Sequence, residues 1–130
     1  MRKQYHSRNV NGQTYIWDVH RLVRLSLDLP VVEIHLSEIK ELDEQYWFQD
    51  ERDPPTCRRV AEHAVLIRDT DLRYPIILSA DGRVMDGMHR VAKAFMEKRT
   101  LIHAVQFAED PSPDYIDVDV DALPYESPDE

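Results

Sequence analysis

The residues best suited to chemistry form one short run, Asp86-Gly87-Met88-His89-Arg90, between an apolar strand pattern and a helix pattern. The first turn of a helix carries unpaired N–H groups and partial positive charge, and a glycine there lets a phosphate approach closely. His89 and Arg90 would add side-chain donors. We therefore predict an anion site at Gly87, Met88, His89 and Arg90.

A structural interpretation of the same run stays open. Asp86 could cap the helix, Arg90 could pair with a neighbouring carboxylate and His89 could fill space, because one glycine before a helix is common. The chain offers no clear metal site as an alternative, since the remaining histidines are scattered and Cys57 is the only cysteine. The alternating carboxylates at 117–121 lack the glycine and glutamate that complete a calcium loop.

The elements on either side of the run have clear signals. Pro75-Ile76-Ile77-Leu78 is typical of a strand, Asp81-Gly82 of a tight hairpin turn, and Arg83-Val84-Met85 of the returning strand. Gly87 then opens a helix predicted over 87–98, and a strand is predicted over 101–107. The run is thus expected at a strand-to-helix junction.

Further elements are predicted earlier in the chain. Apolar residues at helical spacing predict a helix over 14–28, and alternation predicts a strand over 32–36. Ser37 is expected to cap a short helix, and Thr56 a longer one. The apolar face of that longer helix is expected to consist of Val60, Ala61, Ala64, Val65 and Ile67.

Composition limits the classes of protein. The chain has 130 residues, 42% of them hydrophobic, and a mean hydropathy of −0.55, the balance of one globular domain. No apolar run approaches the roughly 20 residues of a membrane-spanning helix, and no secretory signal is visible. We therefore expect a cytoplasmic protein without a membrane partner.

Charge is unevenly distributed. The net charge is −9, and the segment 109–130 holds nine of the 25 acidic residues and no Lys or Arg, which leaves residues 1–108 neutral. Duplex DNA is therefore not an expected partner, because binding depends on cationic phosphate contacts. The acidic, Pro-containing segment is expected to dock partly on the body through Tyr115, Ile116, Val118 and Val120, and could contact a protein partner.

The string from Pro75 to Ala94 resembles the central motif of the ParB/sulfiredoxin superfamily, in which a Pro-Ile strand, a turn, an apolar strand and an Asp-Gly-x-His-Arg-type loop precede a helix. The resemblance covers 31–107 in order of elements, and 75–95 is its specific part. It implies an α/β (α+β) fold, a mixed sheet with flanking helices, in a nucleotide-binding domain over 1–108 with 14–28 as an N-terminal helix extension. Gly87 to Arg90 would cradle the phosphates.

Three branches of the superfamily differ at the loop. Sulfiredoxin has a reductive cysteine where this chain has Met88, which forms no thiolate, so that activity is not expected. Partition-type ParB proteins carry a Gly-Glu-Arg-Arg pattern and continue into DNA-binding segments. Only Gly87 and Arg90 match that pattern here, and the chain ends before such a segment, so a partition protein is not expected either.

The free serine kinase branch resembles this chain most closely. Its catalytic glutamate follows the first strand, and Glu44 is the nearest match, with Glu41 a competitor. The resemblance implies ATP or another nucleotide, Mg²⁺ held with the help of Asp86, and transfer of a γ-phosphoryl group to a small hydroxyl compound such as free serine. A solvated Glu44 at a helix end is the structural alternative.

The predicted function is therefore nucleotide binding, with small-molecule kinase activity as the specific form. A non-catalytic nucleotide-binding or interaction module is the alternative from another class. A ParB-like nuclease is third, because no multi-carboxylate metal cluster is visible. The sequence does not choose ATP over CTP, identify the acceptor or fix the oligomeric state.

Overall fold

The computed structural model describes residues 3–49 and 51–125, which form two β-sheets and three α-helices in one α+β domain, as predicted. The strands are β1 Tyr5–Val10, β2 Gln13–Asp18, β3 Val32–His35, β4 Ile76–Leu78, β5 Val84–Asp86, β6 Leu101–Gln106 and β7 Tyr115–Ile116. The helices are α1 Val19–Ser26, α2 Cys57–Asp69 and α3 Met88–Met96. Short 3₁₀ helices cover Leu36–Glu38, Lys40–Asp43 and Val120–Ala122.

The larger sheet is mixed and has the strand order β3-β6-β4-β5. Strands β4 and β6 run parallel, whereas β3 pairs with β6 and β4 with β5 in antiparallel fashion. The β4–β5 connection is the predicted Asp81-Gly82 turn, in which Ser79 N donates to Arg83 O at 2.8 Å. This hairpin delivers Asp86 and Gly87 to the start of α3.

Strand β4 of the larger sheet is buried on both faces, which explains its unbroken apolar run. The α3 side of the core consists of Leu36, Ile39, Ile76, Leu78, Val84, Met88, Val91, Ala94, Ile102 and Ala104. The opposite side consists of Trp17, Leu22, Ile77, Met85, Val105 and Phe107. The start of α3 is thus fixed on a rigid layer, because Met88 and Val91 belong to the first cluster.

The predicted helix over 14–28 is wrong in its first part, where β2 forms and pairs with β1. Asn11 and Gly12 have φ angles of 52° and 84°, so they form a two-residue turn of the kind that joins antiparallel strands. The helix begins only at Val19, where the Asp18 side chain accepts a hydrogen bond from His20 N at 2.9 Å. The apolar spacing therefore belongs to a strand followed by a helix.

Two smaller predictions need correction. Ser37 caps no helix, because the first 3₁₀ helix already begins at Leu36 with His35 in the cap position. Thr56 caps α2 as predicted, accepting from Arg59 N at 3.2 Å. The predicted apolar face of α2 is not core, however, since Val60 and Val65 are 51% and 45% exposed. The buried residue of α2 is His63.

The acidic segment lies along the smaller sheet, whose order is β1-β2-β7. Its apolar anchor is Leu123, which is 6% exposed, whereas Ile116 and Val118 are 45% and 38% exposed and so do not dock as predicted. Trp17 Nε1 donates to Pro111 O at 2.8 Å, and Asp114 accepts from Asp18 N at 2.8 Å. Its last residues, 126–130, lie outside the described part of the chain.

No helix in the described ranges is long and apolar enough to cross a membrane.

Candidate functional site

Gly87, Met88 and His89 of the predicted phosphate loop line a cavity of about 470 Å³. Gly87 has φ +105° and is the residue from which α3 begins. A Cβ at this position would lie 2.7 Å from Ile76 Cγ2 and 2.8 Å from Arg90 Nη2. Glycine is therefore required here by backbone conformation and by packing, independently of any ligand.

Arg90 and Asp86 pair with each other, as the structural interpretation proposed for Arg90. Arg90 Nη2 donates to Asp86 Oδ2 at 3.2 Å and to Pro75 O at 3.2 Å. Arg90 Nε is buried without a hydrogen-bond partner. Asp86 is not the helix cap, since the cap residue is Gly87 and it has no side-chain hydrogen bond. Met88 contributes to the core rather than to the loop's polar surface.

His89 forms a hydrogen-bonded pair with His63, a residue that the sequence did not predict to belong to the site. The distance from His63 Nδ1 to His89 Nε2 is 2.9 Å. The Trp47 ring lies against both imidazoles, with centroid distances of 4.6 Å to each. His63 is 9% exposed, and its Nε2 is buried without a partner. Because 26 residues separate the two histidines, local spacing gives no signal for this pair.

Cationic side chains also line the cavity, and each has a carboxylate partner. Lys3 Nζ lies 3.1 Å from Asp18 Oδ2. Arg59 Nε lies 2.8 Å from Asp53 Oδ1, and Arg59 Nη1 lies 3.1 Å from Glu62 Oε1. The aromatic lining residues are Tyr5, Tyr46, Trp47 and Tyr125. The cavity thus combines aromatic surface, histidines and paired cations beside the first turn of α3.

Burial lowers the pKa of each of the cavity histidines. Desolvation, together with His63 and Arg90, lowers the pKa of His89 to about 4. Desolvation and Arg8 lower the pKa of His6, which also lines the cavity, to about 4. Burial and Arg59 lower the pKa of His63. Burial raises the pKa of Tyr46.

We expect acidification to destabilise the protein through His6. A histidine whose pKa is 6.5 in the unfolded chain and about 4 in the folded one binds its proton more weakly when folded. Its contribution is fully present above pH 6.5 and is lost as the pH falls from 6.5 towards 4, by up to about 3 kcal/mol. Urea unfolding at pH 7.5, 6.0, 5.0 and 4.5 measures the loss.

The matched variant is His6→Phe, which keeps a ring between Trp17 and Tyr46 but does not titrate. Its free energy of unfolding should fall less over the same pH range. Parallel curves for the two proteins would show that His6 is not responsible.

Glu44 lies at the end of the second 3₁₀ helix and lines a separate cavity of about 430 Å³. Its two carboxylate oxygens accept hydrogen bonds from the Arg83 guanidinium, one at 3.1 Å. This hydrogen bonding lowers the pKa of Glu44. The carboxylate is therefore held ionised and oriented, on a partly exposed side chain.

Glu41, the other candidate for the catalytic glutamate, is buried and connects two elements of the fold. It is 3% exposed, and its Oε2 accepts a hydrogen bond from Val84 N at 2.6 Å. Arg83 Nε lies 3.4 Å from the same oxygen. Glu41 thus connects the 3₁₀ helix to β5.

The role of Asp86 in helping to hold the Mg²⁺ of a bound nucleotide stays a prediction. Across 3–49 and 51–125 no group of three or more His, Cys, Asp or Glu side chains is placed to hold a metal ion. The Asp86 carboxylate is already paired with Arg90.

Comparison of the chain with protein-family models, curated proteins and solved structures finds no match.

Proposed function

We propose that the cavity at the start of α3 binds a nucleotide through its phosphates. The observation that carries the proposal is the meeting, in one cavity of about 470 Å³, of the first turn of α3 with the His63–His89 pair and the aromatic rings. A cavity of this size is in the range that binds small molecules and cofactors. The ParB/sulfiredoxin-like motif supports the same proposal.

The phosphates would interact first with the backbone. The N–H groups of the first turn and the helix dipole attract an anion without needing a free cation. Lys3 and Arg59 can add attraction, but each already has a carboxylate partner in the protein. We therefore expect modest affinity that depends on backbone geometry more than on cation number.

The aromatic lining residues give the base a suitable environment. Aromatic rings stack on nucleobases with little dependence on base identity, because every base has a flat apolar face. Tyr46 and Trp47 line the cavity together with Gly87 and His89, so phosphate and base contacts lie within one site. Aromatic stacking therefore favours a nucleotide without distinguishing ATP from CTP.

The test is a thermal-shift screen with ATP, CTP, GTP, UTP and inorganic triphosphate, each with and without Mg²⁺, followed by calorimetric titration. A ligand that binds only the folded protein raises Tm, and we expect this for nucleotides. Arg90→Ala is a poor variant because it leaves Asp86 without its partner. Arg59→Gln is better, since its partners Asp53 and Glu62 are 42% and 53% exposed.

We expect Arg59→Gln to weaken nucleotide binding about tenfold, the effect of losing one charged hydrogen bond. The matched control is Arg68→Gln on the same helix, where Arg68 pairs with Asp69 outside the cavity lining. No rise in Tm with any nucleotide would contradict the proposal. Equal weakening by both variants would place the ligand elsewhere.

A second candidate function is phosphoryl transfer to a small hydroxyl compound. The observation that favours it is that Tyr46, Trp47 and Met88 line both the proposed nucleotide cavity and the cavity of Glu44. An acceptor beside Glu44 would therefore be a neighbour of the nucleotide. An ionised, oriented carboxylate suits the task of positioning a hydroxyl group for attack.

A further inference from the structure

We propose that His63 is a positioning residue for His89, and that the hydrogen-bonded pair takes up one proton when the cavity binds a phosphate-bearing ligand. This inference rests on the proposed nucleotide site. It adds His63, from α2, to a site that the sequence confined to the loop before α3. It also makes binding dependent on pH.

His63 occupies a position that is unfavourable for a polar side chain. The side chain is 91% buried, yet its Nε2 has no hydrogen-bond partner. Burying a polar atom without a partner is unfavourable, and an aliphatic side chain would fill the same space between α2 and α3 without that cost. His63 is one of the residues that line the proposed ligand cavity, although its Nε2 is itself buried.

The hydrogen bond between His63 and His89 limits how many protons the two rings can hold. A hydrogen bond between two ring nitrogens 2.9 Å apart holds one proton, so each neutral ring has one nitrogen in the bond. If His63 donates, its Nε2 carries no proton. If His89 donates, its own Nδ1 carries none. The outer nitrogens, His63 Nε2 and His89 Nδ1, are those outside the hydrogen bond. In either arrangement one of them can accept a proton while the bond persists. Protonating both rings would break the bond.

The charged groups around the His63–His89 pair affect how readily it binds a proton. The titratable and charged side chains that face the pair from the surrounding elements are Lys3, His6, Asp53, Arg59, Glu62, Asp86 and Arg90. The carboxylates of Asp53, Glu62 and Asp86 already bind Arg59 or Arg90. Asp53 and Glu62 raise the pKa of His63, but burial and Arg59 have the larger effect and lower it. A phosphate dianion would add the missing negative charge and raise the affinity of the pair for a proton.

Binding of the ligand transfers one proton and changes no covalent bond between heavy atoms. The ligand enters as an anion, one proton moves from solvent to the outer nitrogen of the pair, and no covalent bond forms or breaks. The protonated ring then donates to a phosphate oxygen, a charge-assisted hydrogen bond. The bond between His63 and His89 keeps the second ring oriented. Affinity should therefore rise as the pH falls from 8 to 6.

The experiment is calorimetric titration of the full chain with ATP and with inorganic pyrophosphate at pH 6.0, 7.0 and 8.0, with buffers of different ionisation enthalpy at pH 7.0. The buffer dependence of the heat gives the number of protons taken up. His63→Leu keeps the packing and removes the hydrogen bond. His63→Asn can still donate to His89 but does not titrate. His35→Gln, at an exposed histidine outside the cavity lining, is the control.

We expect the wild type to take up more protons than His63→Leu, by a fraction approaching one, and to bind about tenfold more tightly. His63→Asn should recover only the part of the affinity that comes from orienting His89, and neither the proton uptake nor the affinity linked to it, whereas His35→Gln should match the wild type. The ligand's own protonation is common to all four proteins, so it cancels in the comparison. Circular dichroism verifies that each variant is folded.

Two failures are distinguishable. If ATP binds the wild type and His63→Leu with the same affinity and the same proton count, the inference is wrong and the nucleotide site stands. If neither ATP nor pyrophosphate binds the wild type at any pH between 6 and 8, both proposals are wrong.

Discussion

Gly87→Ala is expected to lower the free energy of unfolding by about 4 kcal/mol, from backbone strain of about 1–3 kcal/mol and overpacking of similar size. The backbone at Gly87 has φ +105°, which alanine rarely adopts. The new Cβ would also lie 2.7 Å from Ile76 Cγ2, on the buried strand β4. Ile76 is fully buried and cannot move aside easily. Urea or thermal unfolding measures the loss.

Gly82→Ala is the matched control, because Gly82 has φ +85° but nothing lies within 4 Å of an added Cβ. It should lose only the strain part, about 1–2 kcal/mol. Equal losses at the two positions would show that packing against Ile76 is unimportant. A folded Gly87→Ala protein that has lost nucleotide affinity alone would show that the glycine serves the ligand rather than the fold.

The part of the fold around the loop was predictable because its signals are local. The apolar β4 run, the Asp81-Gly82 turn and the helix after Gly87 each depend on a few neighbouring residues, and the structure confirms all three. The Asn11-Gly12 turn was an equally local signal, but the helical spacing over 14–28 obscured it. Two strands were missed there as a result.

The side-chain arrangement of the candidate site was less predictable, because it depends on distant contacts. The Asp86–Arg90 pair joins residues four positions apart across the junction of β5 and α3, so a pairing of Arg90 with a nearby carboxylate could be anticipated. The His63–His89 pair joins two helices, and only their packing brings it about. The same packing turns His63 inward and leaves Val60 and Val65 exposed, contrary to the helical hydrophobic pattern.

Glu44→Gln is expected to separate catalysis from binding. If Glu44 positions an acceptor hydroxyl and receives its proton while the bond between the β- and γ-phosphates breaks, the amide keeps the shape and removes the base. Turnover should then fall by about 10²–10⁴-fold, with nucleotide affinity nearly unchanged. The measurement is ADP release in the presence of serine and a panel of other small hydroxyl compounds.

The choice of control follows from the structure. Glu41→Gln is unsuitable, because the buried Glu41 carboxylate accepts the Val84 N–H and its loss would disturb β5. Asp43→Asn removes the same charge from the residue next to Glu44, on an exposed side chain. It should leave turnover unchanged. ATP binding by the wild type without ADP release for any acceptor in the panel would favour a non-catalytic nucleotide-binding module. Loss of turnover in Asp43→Asn equal to that in Glu44→Gln would assign the effect to local charge, and Glu44 would not be the catalytic residue.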